Sequence, residues 1–212
     1  DGAIFGSFAN SGQICMSTER IIVDESVADA FVERLAARAR DLPVGDPRLG
    51  PVVLGSVVDL SAVERCNRLI DDALAKGAVL LCGGKAETTL MPATLLDRVT
   101  PDMLIYQEES FGPVKGIVRV GGVEEAIACA NDNEYGLSAA VFGRDTARAW
   151  QVAQRIQSGI CHVNGPTVHD EAQMPFGGVK ASGLGRFGGQ AGVHEFTDPV
   201  SYTHLRAHET KA

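Results

Sequence analysis

One pattern constrains the fold of this chain more than any other. Short apolar segments rich in β-branched residues alternate with longer segments whose apolar residues recur at helical spacing. Strands are predicted at 18–23, 79–82, 116–120, 138–142 and 159–163. Helices are predicted after Asp24, after Ser61, at 123–130 and at 145–157. Because such alternation is typical of parallel strands flanked by helices, we predict an α/β fold with a mostly parallel sheet and helices on both faces.

Three local details refine this prediction. Ser61 and Glu64 have the spacing of a capping box, so the second helix should begin at Ser61, and Gly77 should end it. The segment that follows, Val79–Cys82, is wholly apolar and predicts a buried strand. The glycine-rich stretch 165–189 is too long for an ordinary connection, which indicates a functional or closely packed segment.

Composition narrows the possible partners. The chain has 212 residues, 45% of them hydrophobic, which suits one large domain. A net charge of −8 argues against nucleic acid as a partner, because binding to phosphates needs clustered lysine and arginine. No apolar run approaches the roughly 18 residues of a membrane span, so we expect no membrane partner.

The cysteines indicate a reducing compartment. There are five, an odd number, and none forms a Cys-x-x-Cys pair, so neither a disulfide framework nor a metal site is predicted. We therefore expect a cytoplasmic protein. Cys15 differs from the others because it lies in a small polar loop that contains glycine, just before a strand. The other cysteines lie in apolar helices or strands, which is typical of inert core residues: Cys66, Cys82, Cys129 and Cys161.

Two other patterns are weak when taken alone. Residues 183–188 match the Gly-x-Gly-x-x-Gly of dinucleotide-binding loops, but no predicted strand comes directly before them, so we interpret them as a tightly turning segment. Glu108 and Glu109 lie beside Phe111 and a Gly-Pro turn. Adjacent glutamates are most often a solvated acidic turn.

Taken together, four motifs resemble the aldehyde dehydrogenase superfamily and occur in that family's order. They are NSGQIC at 10–15, EESFGP at 108–113, NDNEYGLS at 131–138 and PFGGVKASGLGR at 175–186. Residues 159–175 resemble the branch that acts on salicylaldehyde and vanillin. The resemblance covers about residues 1–198 and implies an aldehyde dehydrogenase catalytic domain that uses NAD or NADP, with NAD expected, to oxidise a small aromatic aldehyde.

The resemblance also implies roles for individual residues. Cys15 would be the nucleophile, forming a thiohemiacetal and then a thioester, and its backbone N–H would donate to the developing oxyanion. Glu109 would accept hydrogen bonds from the ribose on the nicotinamide side of the cofactor, and Phe111 would contact the nicotinamide ring. Asn164 and Phe176 match positions near the family's active site, with Phe176 as a wall of the substrate pocket. For both, a purely structural role is an equal alternative.

The resemblance further implies that some machinery lies upstream of this sequence. In the family, the cofactor-binding domain, the glutamate that activates water and the amide that completes the oxyanion hole all precede the cysteine motif. Near the other end, a strand used for assembly should begin at 195–198, but the following residues depart from the family's pattern. We therefore expect residues 199–212 to be a tail foreign to the family, and the full-length protein to be a homo-oligomer.

Two alternative functions stay open. The chain could be a catalytically silent structural or binding fragment that lacks a cofactor domain and a general base. It could also be a cysteine hydrolase or acyltransferase if His162 or His169 lay beside Cys15 and served as the base. Only the geometry of the folded chain can test the second alternative.

Overall fold

The computed structural model describes residues 1–203 and contains one main sheet, one small sheet and surrounding helices. The helices are α1 (Gly2–Phe8), α2 (Glu25–Arg40), α3 (Leu60–Ala75), α4 (Leu104–Gln107), α5 (Val123–Asn131), α6 (Thr146–Ala153) and α7 (Gly189–Glu195). The strands are β1 (Arg20–Asp24), β2 (Val79–Cys82), β3 (Thr94–Asp97), β4 (Val114–Val120), β5 (Ser138–Val141) and β6 (Ile160–Val163). Short 3-10 helices cover Ala9–Gly12 and Lys180–Ser182.

The main sheet has the strand order β1-β4-β3-β2. Strand β4 pairs in parallel with both β1 and β3, and β2 pairs antiparallel with β3. The small sheet consists of β5 and β6, which are parallel. The prediction of a mostly parallel sheet is confirmed, although the strands are divided between two sheets.

Apolar side chains cover both faces of the main sheet. On one face α1 and α2 pack on β1 and β4, with Phe8, Val32, Leu35 and Ile117 in the shared core. On the other face the core joins α3, α4 and α5 to β3 and β4. Burial of these apolar surfaces is the main force that holds such layers together, and the predicted arrangement of helices on both faces is confirmed.

Two local predictions are wrong. The residue that caps α3 is Asp59, not Ser61: Asp59 Oδ1 accepts the backbone N–H of Ala62 at 3.0 Å and the Ser61 hydroxyl at 2.6 Å. An aspartate carboxylate accepts hydrogen bonds from the free N–H groups at a helix start as well as a serine hydroxyl does. Here Asp59 lies directly before Leu60, the first residue of α3. Strand β2 is not buried, since Val79 and Leu80 are exposed and only Cys82 is buried, because β2 is an edge strand.

Strands β1 and β5 each leave one edge unpaired within residues 1–203, and both unpaired edges line the same cleft. This cleft therefore separates the two sheets. Among the described helices, none combines the length and the apolar character that crossing a membrane requires. The tail predicted at 199–212 lies mostly outside the described residues, which end at residue 203.

Candidate active site

The segment that leads to Cys15 has an unusual backbone. Asn10, Ser11 and Gly12 follow one another with φ values of 51°, 58° and 74°, all in the left-handed region. Glycine tolerates this region freely, but serine does not. Backbone strain of this kind persists only where the surroundings enforce it, and it is common at functional sites.

Side-chain hydrogen bonds hold this segment in place. Gln13 Oε1 accepts the backbone N–H of Val58 at 2.9 Å, and Gln13 Nε2 donates to the Ser56 carbonyl at 3.3 Å. The Ser11 hydroxyl donates to the Gly55 carbonyl at 3.2 Å. The motif at 10–15 is thereby fixed to the connection that precedes α3, which explains why the loop needs polar residues at positions 11 and 13.

Cys15 lies in a tight turn at the end of this segment. The turn is closed by the backbone N–H of Ser17, which donates to the Ile14 carbonyl at 2.8 Å. The Cys15 side chain is exposed, and among the described backbone hydrogen bonds none uses its N–H. The residue thus offers a thiol and a free backbone donor at one place, the pair that attack on a carbonyl carbon requires.

The other four cysteines are less accessible. Cys66, Cys82 and Cys129 are buried, and Cys161 is half-buried. Burial disfavours the thiolate and raises the pKa of Cys66, Cys82 and Cys161. The structure therefore leaves Cys15 as the most accessible thiol of the described residues.

The two adjacent glutamates have different surroundings. Glu108 forms a bidentate ion pair with Arg68, with Nη1–Oε1 and Nη2–Oε2 distances of 3.1 Å and 2.5 Å. In contrast, the Glu109 carboxylate has no hydrogen bond or ion pair with any other described residue. All acceptor positions of Glu109 are available to a ligand, whereas those of Glu108 are occupied.

The environment of Glu109 disfavours its charge. Although the residue is exposed, loss of hydration around the carboxylate raises its pKa, and the negative charge of Glu19 adds to the increase. The positive charges of Lys115 and Arg65 act in the opposite direction. A carboxylate that is short of water gains from hydroxyl donors, which suits the predicted contact with a ribose.

The loop that carries Glu109 packs directly on the cysteine segment. A Cβ atom on Gly12 would lie 2.2 Å from the carbonyl oxygen of Gly112, and one on Gly112 would lie 2.6 Å from Cys66 Sγ. Only glycine permits these two approaches. Next to this contact, Phe111 is partly exposed and has a φ of 42°.

An ionic link that none of the motifs predicts joins the same two segments. Lys115, which is fully buried in β4, places Nζ 2.8 Å from Glu19 Oε1 and 3.3 Å from the Ser110 hydroxyl. Glu19 Oε2 also accepts the backbone N–H of Ser110 at 2.9 Å. The available signal was a lysine directly before a predicted strand, since a buried ammonium group requires a partner.

Cys15 and Glu109 line one cleft of about 1100 Å³. Glu19 lines it as well, together with residues of β1 and β5. The predicted nucleophile and the predicted ribose-binding carboxylate are therefore brought together, although 94 positions separate them in the sequence. Phe111, Asn164 and Phe176 are not among the residues that line this cleft.

Asn164 and Phe176 make contacts that are typical of structural residues. The Asn164 side chain accepts the backbone N–H of Gly143 at 2.9 Å and donates to the Gly143 carbonyl at 3.0 Å, which joins the ends of β5 and β6. Phe176 and Phe187 exchange two backbone hydrogen bonds, and their ring centroids are 4.8 Å apart. A role for Asn164 or Phe176 in the substrate pocket stays a prediction.

The remaining two motifs pack against each other. Lys180 Nζ donates to the carbonyls of Asn131 and Asn133 at 2.8 Å and 3.0 Å, and the Ser182 hydroxyl accepts the Gly136 N–H at 2.9 Å. Residues 183–188 follow a 3-10 helix rather than a strand, so the structure supports a turning segment there and not a phosphate loop.

The hydrolase alternative gains no support from the geometry. His162 and His169 contact each other, with ring centroids 5.6 Å apart. Neither histidine lines the cleft that Cys15 faces. A base for a cysteine hydrolase must lie within hydrogen-bond reach of the thiol, and no histidine of the described residues is placed there.

Comparison with known proteins extends the likeness over nearly the whole chain. A family model described as "Aldehyde dehydrogenase family" matches residues 1–201. A vanillin dehydrogenase of Pseudomonas fluorescens is 60% identical over 195 residues, which are 92% of this chain and 40% of that protein. The chain thus spans about two fifths of the length of the curated relatives it matches.

Solved structures show the same likeness in three dimensions. The crystal structure of a salicylaldehyde dehydrogenase from Pseudomonas putida G7, complexed with salicylaldehyde, matches with a TM-score of 0.90 and 49% identity over 96% of this chain and 44% of that one. An NADP-dependent glyceraldehyde-3-phosphate dehydrogenase from Bacillus halodurans C-125, complexed with NADP, matches with a TM-score of 0.86 and 39% identity over 91% and 40%. An exposed cysteine that shares a cleft with an unpaired glutamate, in a chain matched along its length by this family, leads to one conclusion: the chain belongs to the aldehyde dehydrogenase family.

Proposed function

We propose that this chain is the catalytic portion of an NAD(P)-dependent aldehyde dehydrogenase that oxidises an aromatic aldehyde to the carboxylic acid. The observation that carries the proposal is the cleft that both Cys15, with its exposed thiol, and Glu109, with its unpaired carboxylate, line. A nucleophile and a ligand for ribose hydroxyls are two of the groups that this reaction needs at one place.

In the proposed reaction the Cys15 thiolate attacks the aldehyde carbon and forms a carbon–sulfur bond. The carbonyl oxygen becomes an oxyanion, to which the free N–H of Cys15 donates. Glu109 would hold the ribose of NAD or NADP, and the bound cofactor would supply the acceptor for the hydride of this carbon. The resulting thioester on Cys15 is hydrolysed by water, which releases the carboxylic acid and returns the thiol.

The residues that are present fit a dinucleotide at its nicotinamide end. Glu109 can accept two hydroxyl donors because the described residues leave its carboxylate unpaired. Phe111, two positions further along the chain, has a partly exposed ring that could contact the nicotinamide. The residues that would hold the adenosine end are expected upstream, from the family resemblance. We propose NAD as the preferred cofactor, and parallel assays with NADP test that preference.

An aromatic substrate is supported by the relatives. A protein named vanillin dehydrogenase is 60% identical to this chain, and a salicylaldehyde dehydrogenase has nearly the same backbone. We propose residues 1–198 as the catalytic domain and a homo-oligomer as the full-length form. Asn164 and Phe176 are proposed contributors to the substrate pocket.

The test uses a chimera in which this chain replaces the matched region of the Pseudomonas fluorescens vanillin dehydrogenase. We expect NADH formation from vanillin or salicylaldehyde that saturates with NAD, and we expect Cys15→Ala to abolish it. Cys161→Ala is the matched control, because it removes the next most accessible thiol. Full activity in a folded Cys15→Ala chimera, or no activity in the folded parent chimera, would contradict the proposal.

A further inference from the structure

Lys115 is a cation without access to solvent. Its side chain is fully buried in β4, where its neighbours along the strand are Val114 and Gly116. Removing an ammonium group from water costs several kcal/mol, and a neutral apolar residue of similar size at this position would avoid that cost. Stability alone therefore does not explain a buried charge at this position.

The contacts of Lys115 converge on Ser110. Lys115 Nζ donates to Glu19 Oε1 at 2.8 Å and lies 3.3 Å from the Ser110 hydroxyl. The second oxygen of Glu19 accepts the Ser110 backbone N–H at 2.9 Å. On the other side, Arg65 Nε donates to the Ser110 carbonyl at 3.0 Å. The N–H, the hydroxyl and the carbonyl of Ser110 are thus all held.

In the sequence, Ser110 lies between Glu109 and Phe111, and Glu19 lies four positions after Cys15. The pair of Glu19 and Lys115 therefore ties the segment of the nucleophile to the loop that presents the proposed cofactor contacts. Among residues 1–203 the other well-buried pair is Asp97 with Arg119, which joins β3 to β4, and neither of its residues lines the cleft.

We propose that Glu19 and Lys115 are positioning residues, which together fix the Glu109–Phe111 loop relative to Cys15. This inference rests on the proposed function, because it takes Glu109 as the ribose ligand. The inference does not require Glu19 or Lys115 to contact the substrate or the cofactor.

The charges that face Glu109 give a second way to test the pair. Glu19 disfavours its ionised form, Lys115 and Arg65 favour it, and the Tyr135 hydroxyl is also within electrostatic reach. If Lys115 is replaced by methionine, Glu109 keeps the repulsion from Glu19 and loses the compensating charge. Its pKa should then rise, whereas Glu19→Gln should lower it, and the double variant should lie near the parent value.

A titration of Glu109 tests this in the 212-residue chain, without reference to activity. The chain is labelled with ¹³C at glutamate carboxyl groups, and the Glu109 resonance is identified by its loss in Glu109→Gln. We expect Lys115→Met to raise the Glu109 midpoint by about one pH unit, the double variant Glu19→Gln with Lys115→Met to reverse most of that change, and Arg119→Met to have no effect. If Lys115→Met does not fold, the lowered midpoint expected of Glu19→Gln takes its place.

A kinetic measurement in the vanillin dehydrogenase chimera tests the positioning. Lys115→Met should slow the hydride step about tenfold and leave KM for the aldehyde within about twofold, while Arg119→Met of similar stability should change neither. An unchanged Glu109 midpoint, or equal slowing by Lys115→Met and Arg119→Met, would overturn the inference. Normal hydride transfer in Glu109→Gln would instead contradict the proposed role of Glu109 as the ribose ligand. The titration would then still test the effect of Glu19 and Lys115 on Glu109.

Discussion

Gly12 lies against Gly112 so closely that a Cβ atom on Gly12 would be 2.2 Å from the Gly112 carbonyl oxygen. The two residues belong to motifs that are 100 positions apart in the sequence. This contact sets how closely the cysteine segment and the Glu109 loop approach each other. It depends on an absent side chain at position 12, and therefore it can be tested by adding one.

We expect Gly12→Ala to lower the free energy of unfolding more than two matched glycine variants. Gly77 has a φ of 98° but open space around it, so Gly77→Ala isolates the backbone cost of about 1–2 kcal/mol. Gly50 has neither a positive φ nor a close neighbour, so Gly50→Ala should be neutral or slightly stabilising. Urea unfolding of the three variants makes the comparison. If Gly12→Ala costs no more than Gly77→Ala, the contact with Gly112 is not tight.

The elements that the sequence predicts well are those fixed by neighbouring residues. Strand β1 and helix α2 were predicted because their signals are local, and Asp24 does cap α2, accepting the Ser26 N–H at 2.9 Å. Strand β3 was missed, since Thr94–Asp97 is only four residues long and all four are buried, so no alternation marks it. Two leucines between a threonine and an aspartate resemble many other segments of a folded chain.

The residues of the candidate site likewise fall into those that local motifs predict and those that they do not. Cys15 and Glu109 could be proposed from motifs, but the link through Lys115 could not, because it joins residues 96 positions apart. The predicted strand also began at residue 116, whereas β4 begins at Val114 and includes Lys115. Pairing between distant side chains depends on the register of β1 with β4, which no local pattern specifies.

We expect Cys15 to react with iodoacetamide faster than the other cysteines of the folded chain. It is exposed, whereas burial raises the pKa of the Cys66, Cys82 and Cys161 thiols and so lowers their thiolate fraction. Competitive labelling followed by mass spectrometry gives the order. Because Cys161 is half-buried, it should be second. Labelling of Cys82 or Cys129 ahead of Cys15 would show that the cysteine segment is folded differently.

Glu109→Gln in the chimera should slow hydride transfer and leave the melting temperature nearly unchanged. The matched control is Glu108→Gln, which removes only the surface ion pair with Arg68, worth about 0–1 kcal/mol, and should leave hydride transfer intact. Stopped-flow measurement of NADH separates the hydride step from product release. Equal slowing by the two variants would remove the distinction that the structure makes between the adjacent glutamates.

The pKa of Glu109 predicts how this variant depends on pH. Loss of hydration raises the pKa of the carboxyl group in the folded chain, so ionised Glu109 favours the folded state less than a neutral side chain does. At neutral pH Glu109→Gln should therefore melt at the same or a slightly higher temperature than the parent. Below the ordinary glutamate pKa of about 4.3 the difference should disappear, because both side chains are then neutral. A variant that is less stable at neutral pH would contradict the assigned direction.

The 212-residue chain alone should oxidise aldehydes very slowly, whereas the chimera should turn over continuously. In the isolated chain Glu109 and Phe111 would be the main contacts for the cofactor, and reactants that are not held in position forgo an advantage of roughly 7–11 kcal/mol. The family resemblance implies that the glutamate that activates water is not among these 212 residues, and lack of a general base would cost a further factor of about 10²–10⁴. These losses need not multiply, since groups that act together are not additive.

The comparison is made with salicylaldehyde and NAD at equal concentrations of chain and chimera, after circular dichroism has shown that both are folded. We expect a stoichiometric burst at most from the chain, because a thioester on Cys15 would wait for unassisted water, and continuous turnover from the chimera. Mass spectrometry should then find the acyl group on Cys15 of the chain. Turnover by the chain alone near 1 s⁻¹, the low end of ordinary enzymes, with saturable dependence on NAD, would show that these 212 residues contain all the groups that catalysis needs.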